Sequence, residues 1–218
     1  MKHPAFVFSV FYFFAFSAYA GTADFKVLDK EGKPLPDAVV VLYPHTPSAP
    51  VVPKTPIVIQ QEKMRFVPAI TVVPLGTRVR FTNMDTWDHH VRGTAESVKS
   101  AMSAQSDEPN FGLRLSAKAE GKTPSSADVL MDKAGTVLLG CHLHGSMRGH
   151  IFVTDSAWTA KTDAEGMAHF DQVPPGATQL RVWHSEDLLG QAPQTLQITE
   201  QAWRSTVQLN VVPRRRRI

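Results

Sequence analysis

Short runs of alternating apolar and polar residues, cut by turn-forming residues, dominate the chain and predict strands rather than helices. Phe25 and Val27 alternate with polar neighbours, Asp29-Lys30-Glu31-Gly32 reads as a turn, and Ala38 to Tyr43 is a largely β-branched run, so two strands flank a turn here. Five prolines from Pro44 to Pro56 mark a linker or an extended crossing segment. Ile57 to Gln60 and Ile70 to Val73 read as strands, Leu75-Gly76 as a turn, and Thr77 to Asn83 alternates with Val79 and Phe81 on one face. A short strand starts at His89-His90 and closes at Val91. Residues 93–128 are polar apart from Phe111 to Leu115, a further strand, and the remainder reads as surface loop or short helix. Thr136 to Cys141 puts Val137, Leu139 and Cys141 on one face, and Gly149 to Thr154 resumes the sheet. Beyond a turn at Thr162 to Gly166, strands are marked by Met167 to Phe170, Leu180 with Val182, Leu196 with Ile198, and Val207 with Leu209 and Val211. Many short strands joined by Gly/Pro turns predict an all-β chain of antiparallel sandwiches.

The first twenty residues stand outside that pattern. Lys2 is followed by an apolar run from Ala5 that closes on Ala18-Tyr19-Ala20, the small-x-small signal of a cleaved export leader ending before Gly21. A retained N-terminal anchor is the rival reading. Export implies the periplasm, with no stable membrane span once the leader is cut. A formal net charge of +3 is too weak to argue for nucleic acid. Arg214 to Arg217, after Pro213, can touch an anionic surface or an acidic partner, or be a solvated tail. No catalytic triad, phosphate-binding loop or paired-carboxylate arrangement occurs, so an enzyme is not expected.

Composition changes the picture most through the single cysteine, Cys141. It cannot form an internal disulfide, and a free thiol in an oxidising compartment must be buried or held. Its neighbours supply a holder. In Cys141-His142-Leu143-His144-Gly145-Ser146-Met147 a thiolate, an imidazole three residues on and a thioether three beyond that can converge from one tight loop. Thiolate and imidazole with a long axial thioether form the ligand set of a blue-copper electron-transfer site, which needs a second histidine. His89 and His90, at the start of a strand, offer it. Neighbours in a strand point to opposite faces, so if Val91 packs inward His89 joins it and His90 points away. His89, Cys141, His144 and Met147 are therefore the candidate metal ligands. Zinc is the rival metal, although a thioether disfavours it.

These residues resemble those of the cupredoxins. Gly140 to Gly149 is similar to the short copper loop of amicyanin, Val72 to Asn83 resembles the strand leading to the first copper histidine, and Phe111 to Val153 is similar to plastocyanin-like proteins linked to methylamine utilisation. The resemblance covers residues 57–155 and implies a Greek-key sandwich in which His89, Cys141 and His144 are equatorial ligands of type 1 copper, cycling between Cu(I) and Cu(II), and Met147 is axial. Cupredoxins commonly place Asn after the first histidine and Pro near the second; His90 and Gly145 stand there instead. The flanks have another likeness. Val27 to Val41, and Thr162 to Phe170 with Val173 to Gly176, resemble strands of a carboxypeptidase-regulatory-like, transthyretin-type sandwich. The implied organisation is a leader (1–20), opening strands and linker of that second sandwich (21–56), a cupredoxin unit (57–155), the remaining strands (156–212) and a basic tail (213–218).

The expected function is single-electron transport in the periplasm, with a cytochrome or periplasmic dehydrogenase as redox partner. The alternatives are a copper carrier or store without a redox circuit, and a structural β module with a vestigial site. Asp85 and Asp88 are expected to cap the turn before His89 or tune its field. His142 is expected in solvent near the loop and His150 on the surface. His184 is expected on a core face, with Trp183 exposed for docking or covering a neighbouring unit.

Overall fold

The computed structural model describes residues 21–96, 110–187 and 190–213. The expected leader (1–20), the centre of the polar stretch (97–109) and Arg214 to Arg217 lie outside the described residues. Strands run in the order β1 (Gly21–Leu28), β2 (Val39–Pro44), β3 (Ile57–Glu62), β4 (Arg65–Val67), β5 (Ile70–Pro74), β6 (Arg78–Asn83), β7 (His89–Glu96) and β8 (Phe111–Leu115). They continue with β9 (Ser126–Leu130), β10 (Gly135–Cys141), β11 (Arg148–Thr154), β12 (Trp158–Lys161), β13 (Met167–Val173), β14 (Gly176–Trp183), β15 (Gln194–Ile198) and β16 (Trp203–Gln208). Among the described residues no helix is long and apolar enough to cross a membrane.

Four sheets enclose two main apolar cores. The sheets β4-β3-β6-β9 and β5-β11-β10-β7-β8 supply one core, which includes Ile59, Phe81, Val91, Leu139 and Ile151. The sheets β13-β1-β16 and β12-β2-β14-β15 supply the other, with Phe25, Val27, Leu42, Phe170 and Leu180. The alternation in the sequence is what fills them: inward residues of β6 (Val79, Phe81) and β10 (Val137, Leu139, Cys141) are buried while their neighbours are exposed or half-buried.

Two details depart from the pattern expected above. The sheets are mixed rather than wholly antiparallel, because β3 pairs with β6, β5 with β11 and β1 with β16 in parallel. Parallel neighbours cannot be joined by a tight hairpin; here β4 turns back beside β3 in the same sheet, and β5 takes the chain into the opposite sheet before β6 returns. Likewise β1 and β2 do not pair with each other but lie in facing sheets.

β2 is buried on both faces, which explains its unbroken β-branched run. Val40 and Leu42 enter one core, while Val39 and Val41 form a third cluster with Ile70 of β5. Around that cluster Trp183 packs on Phe152 with ring centroids 5.7 Å apart and on His150 at 5.4 Å. Trp183 and His150, expected at the surface, are instead half-buried against each other. Full burial of an aliphatic side chain contributes roughly 1.5–3 kcal/mol, so Val39, Val41 and Ile70 make this junction a packed contact. At its edge Tyr43 donates to Asp155 at 2.9 Å, and burial with that bond pushes the phenol up to about 12. Lys161 pairs with Asp37 at 2.7 Å.

Candidate metal centre

The site forms where β10 runs out of the core and β7 enters it. Gly140 pairs with Arg92 and Cys141 with Val91, so the end of β10 lies beside the start of β7. His142 donates its backbone N–H to His90 O at 2.9 Å, which extends that contact by one step into the loop. The loop is then closed by the Met147 N–H on His144 O at 3.0 Å. After Met147, β11 returns beside β10, with Gly140 opposite Arg148.

His89, Cys141 and His144 converge. One ligand atom from each lies within 4.8 Å of the others, and the trio can hold a metal ion. Cys141 Sγ is 3.6 Å from His89 Nδ1 and 3.5 Å from His144 Nδ1, and the two imidazole centroids are 5.0 Å apart. Metal–nitrogen and metal–sulfur bonds of about 2.0 and 2.3 Å, at a tetrahedral angle, put the two donors about 3.5 Å apart. The observed separations therefore suit ligands of one ion. Met147 is 1% exposed and packs in the same apolar cluster as Cys141. His89 is 1% exposed, whereas His144 is half-buried beside Leu143, which is 55% exposed.

His90 lies on the opposite face of β7. Its ring meets His142, 5.6 Å away between centroids, and takes no part in the trio. Burial holds its imidazole below the ordinary range, helped by Arg114, His142 and Arg92.

A polar network positions His89. Its Nε2 lies 2.9 Å from Asp85 Oδ2. Asp85 in turn accepts the backbone N–H groups of Lys63 at 2.6 Å and Met64 at 3.0 Å. Those two donors belong to the β3–β4 turn, where both residues adopt left-handed backbone angles (φ 53° and 56°). For non-glycine residues that conformation costs about 1 kcal/mol or more each, and here it aims two donors at one carboxylate. Burial pushes the Asp85 carboxyl upward, but Met64 N–H, His89 and Lys63 N–H outweigh it and hold the group below its ordinary range. An ionised Asp85 accepts a hydrogen bond from the Nε2–H of His89, which leaves Nδ1 as the ring's lone-pair nitrogen, 3.6 Å from Cys141 Sγ.

Asn83, fully buried, anchors the turn before the strand. Its side-chain amide donates to Trp87 O, Leu115 O and Ser116 O at 2.8–3.2 Å, and its Oδ1 accepts Asp85 N–H at 2.9 Å. Asp88 takes a different part, accepting Ala117 N–H at 2.7 Å on the surface. Sequence reasoning missed Asn83 and the Lys63–Met64 turn. The one signal present was the spacing of Asp85, four residues before His89.

No family model matches the chain, and no curated protein matches it. Solved structures do. A reduced amicyanin variant is 21% identical, covering 52% of this chain and 98% of its own, with a TM-score of 0.35. Amicyanin from Paracoccus versutus is 17% identical over 52% of this chain and 97% of its own, with a TM-score of 0.36. A copper-containing nitrite reductase from Thermus scotoductus is 22% identical over 51% of this chain and 25% of its own, with a TM-score of 0.34.

Proposed function

We propose that the chain is a cupredoxin-type carrier of single electrons in the periplasm, with type 1 copper held by His89, Cys141, His144 and Met147. The observation that carries this reading is the convergence of one sulfur and two Nδ1 atoms from the end of β10, its loop and the start of β7. Bound copper would supply a centre that alternates between Cu(I) and Cu(II), a change that thiolate, imidazole and thioether ligands together tolerate. The chain's own residues do the rest. Asp85 fixes the tautomer and direction of His89, as carboxylates commonly do for metal-bound imidazoles. The buried side chains around Cys141 and Met147 keep water from the sulfur donors. His144, half-buried beside exposed Leu143, gives a partner such as a cytochrome or dehydrogenase the shortest approach. Residues 21–56 and 156–212 then form the regulatory-like sandwich, which supports the copper unit through the Val39–Val41–Ile70 contact.

Voltammetry of the copper-loaded full chain tests the reading. A reversible one-electron wave, with one copper per chain, is the expected result. Stoichiometric copper binding without a reversible wave would replace it with the carrier or store reading. Failure to bind copper while zinc binds would remove copper from the account.

A further inference from the structure

We propose that the open face of the five-stranded sheet carries an oxyanion-binding trough, floored by Gly140 and walled by Arg92 and Arg148. Register places these residues in one row across three strands. Gly140 of β10 lies opposite Arg148 of β11 on one side and opposite Arg92 of β7 on the other, and Arg92 lies opposite Gly112 of β8. Neighbouring strands are about 4.8 Å apart, so the two arginine stems stand about 10 Å apart with only a glycine between them. A carboxylate or phosphate group is the right size and charge to enter that gap, and guanidinium groups bind both through paired N–H bonds.

The surroundings support the same ligand. A hollow of about 380 Å³ opens there, lined also by Thr94, Leu138 and His142 and reaching Cys141 and Met147 at the metal loop. Among the described residues no carboxylate lines it. One row along, Arg114 lies opposite His90, whose Nδ1 is buried and has no hydrogen-bond partner among the described residues. None of Arg92, Arg114 and Arg148 has an acidic partner among the described residues, whereas Arg80, on the opposite sheet, holds Asp128 through two bonds of 2.7 and 2.9 Å. Like charges closer than a Debye length of about 10 Å repel, and a bound anion relieves that repulsion. The remainder of this outer face is closed by β2 and Trp183.

The ligand chemistry is that of a small oxyanion, supplied either as a free ion or as the acidic side chains of a docked polypeptide. The site does not depend on the metal, so the test uses the metal-free full chain. Inorganic phosphate, succinate and a heptaglutamate peptide are titrated in turn, with affinity read by calorimetry and position by backbone amide shifts in NMR. Saturable binding is expected, with shifts centred on Arg92, Gly140 and His142. Arg92→Ala and Arg148→Ala should each weaken it about tenfold or more, as loss of a charge-assisted hydrogen bond requires, while Arg80→Ala leaves it unchanged. Gly140→Asp provides an independent check: a Cβ there meets nothing nearer than Met147 O at 4.0 Å, so the added carboxylate fits, occupies the trough and abolishes binding. Binding of phosphate or succinate supports a free-ion site, and binding of the peptide alone supports docked acidic side chains. Absence of saturable binding by all three, or equal weakening by Arg80→Ala, would show these arginines to be merely solvated and overturn the proposal.

Discussion

In the core shared by β1, β2, β13 and β14, strand alternation delivers valine, leucine, alanine and phenylalanine, and buried polar groups there serve the backbone. Thr162, for example, donates to Leu35 O at 2.7 Å and accepts Ala38 N–H at 2.9 Å. In the core of β3 to β11 the same alternation delivers Cys141 and Met147, and the start of β7 adds His89. One rule of folding thus yields packing in one region and a candidate metal-binding cluster in the other. What differs is the residue type at the strand ends, together with a polar network that turns those residues toward one another.

Substitutions on the two faces of β7 should differ most. His89→Ala should weaken metal binding by more than about a hundredfold, because loss of a group that merely orients a ligand already costs 10–100-fold. His90→Ala, which touches the opposite face, should change affinity by less than about threefold; metal-competition titrations read both. A comparable effect of the two substitutions would mean that alternation does not separate them.

Asn83→Ala sharpens the comparison on the stability side. It removes the two N–H groups shared by three backbone carbonyls and the acceptor of the Asp85 N–H, and each buried polar group left unpaired costs about 1–3 kcal/mol. Denaturant unfolding should therefore show a loss of about 3 kcal/mol or more, against about 2 kcal/mol or more for Thr162→Val, which strands Leu35 O and the Ala38 N–H in the other core. Asp85→Asn comes next. The isosteric amide keeps the shape but loses the ionised acceptor for His89, so metal affinity should fall about 10–100-fold while the apo chain remains folded by circular dichroism.

The smallest effect lies in the core of β1, β2, β13 and β14. His169 of β13 is held between Asp24 and Asp171, and its imidazole is raised above the ordinary range, first by the bond to Asp24 and then by that to Asp171. A group raised in the folded state contributes stability that is full below its unfolded value of about 6.5 and is lost as pH rises through its folded value. Thermal melts should thus show a slight fall in stability as pH rises past that unfolded value, which His169→Gln removes. Its exposure keeps the effect small.

Much of the fold was legible because alternation is a local signal. Val79, Phe81, Val137 and Leu139 declare their inward faces without reference to any partner, and the Cys141–His144–Met147 spacing is local too. The short β4, the polar edge strand β9 and β12 were not legible, since three to five residues with few apolar positions carry little periodicity. Strand pairing was hidden for another reason: parallel neighbours such as β3 and β6 are set by crossovers between sheets, which no run of residues encodes. The same holds at the site. Asp85 could be seen to precede His89, but the two N–H groups that hold it come from Lys63 and Met64, more than twenty residues earlier. Trp183 and His150 sit on outward faces of their own strands, and only the packing of β2 and β14 against β5 and β11 buries them.

An optical titration of the full chain with Cu(II), alongside Cys141→Ser, tests whether Cys141 and its two imidazole neighbours hold copper as a thiolate site. An intense thiolate-to-copper absorption that saturates at one copper per chain and is absent from Cys141→Ser is expected. Copper bound without that absorption, or an identical spectrum from Cys141→Ser, would contradict it.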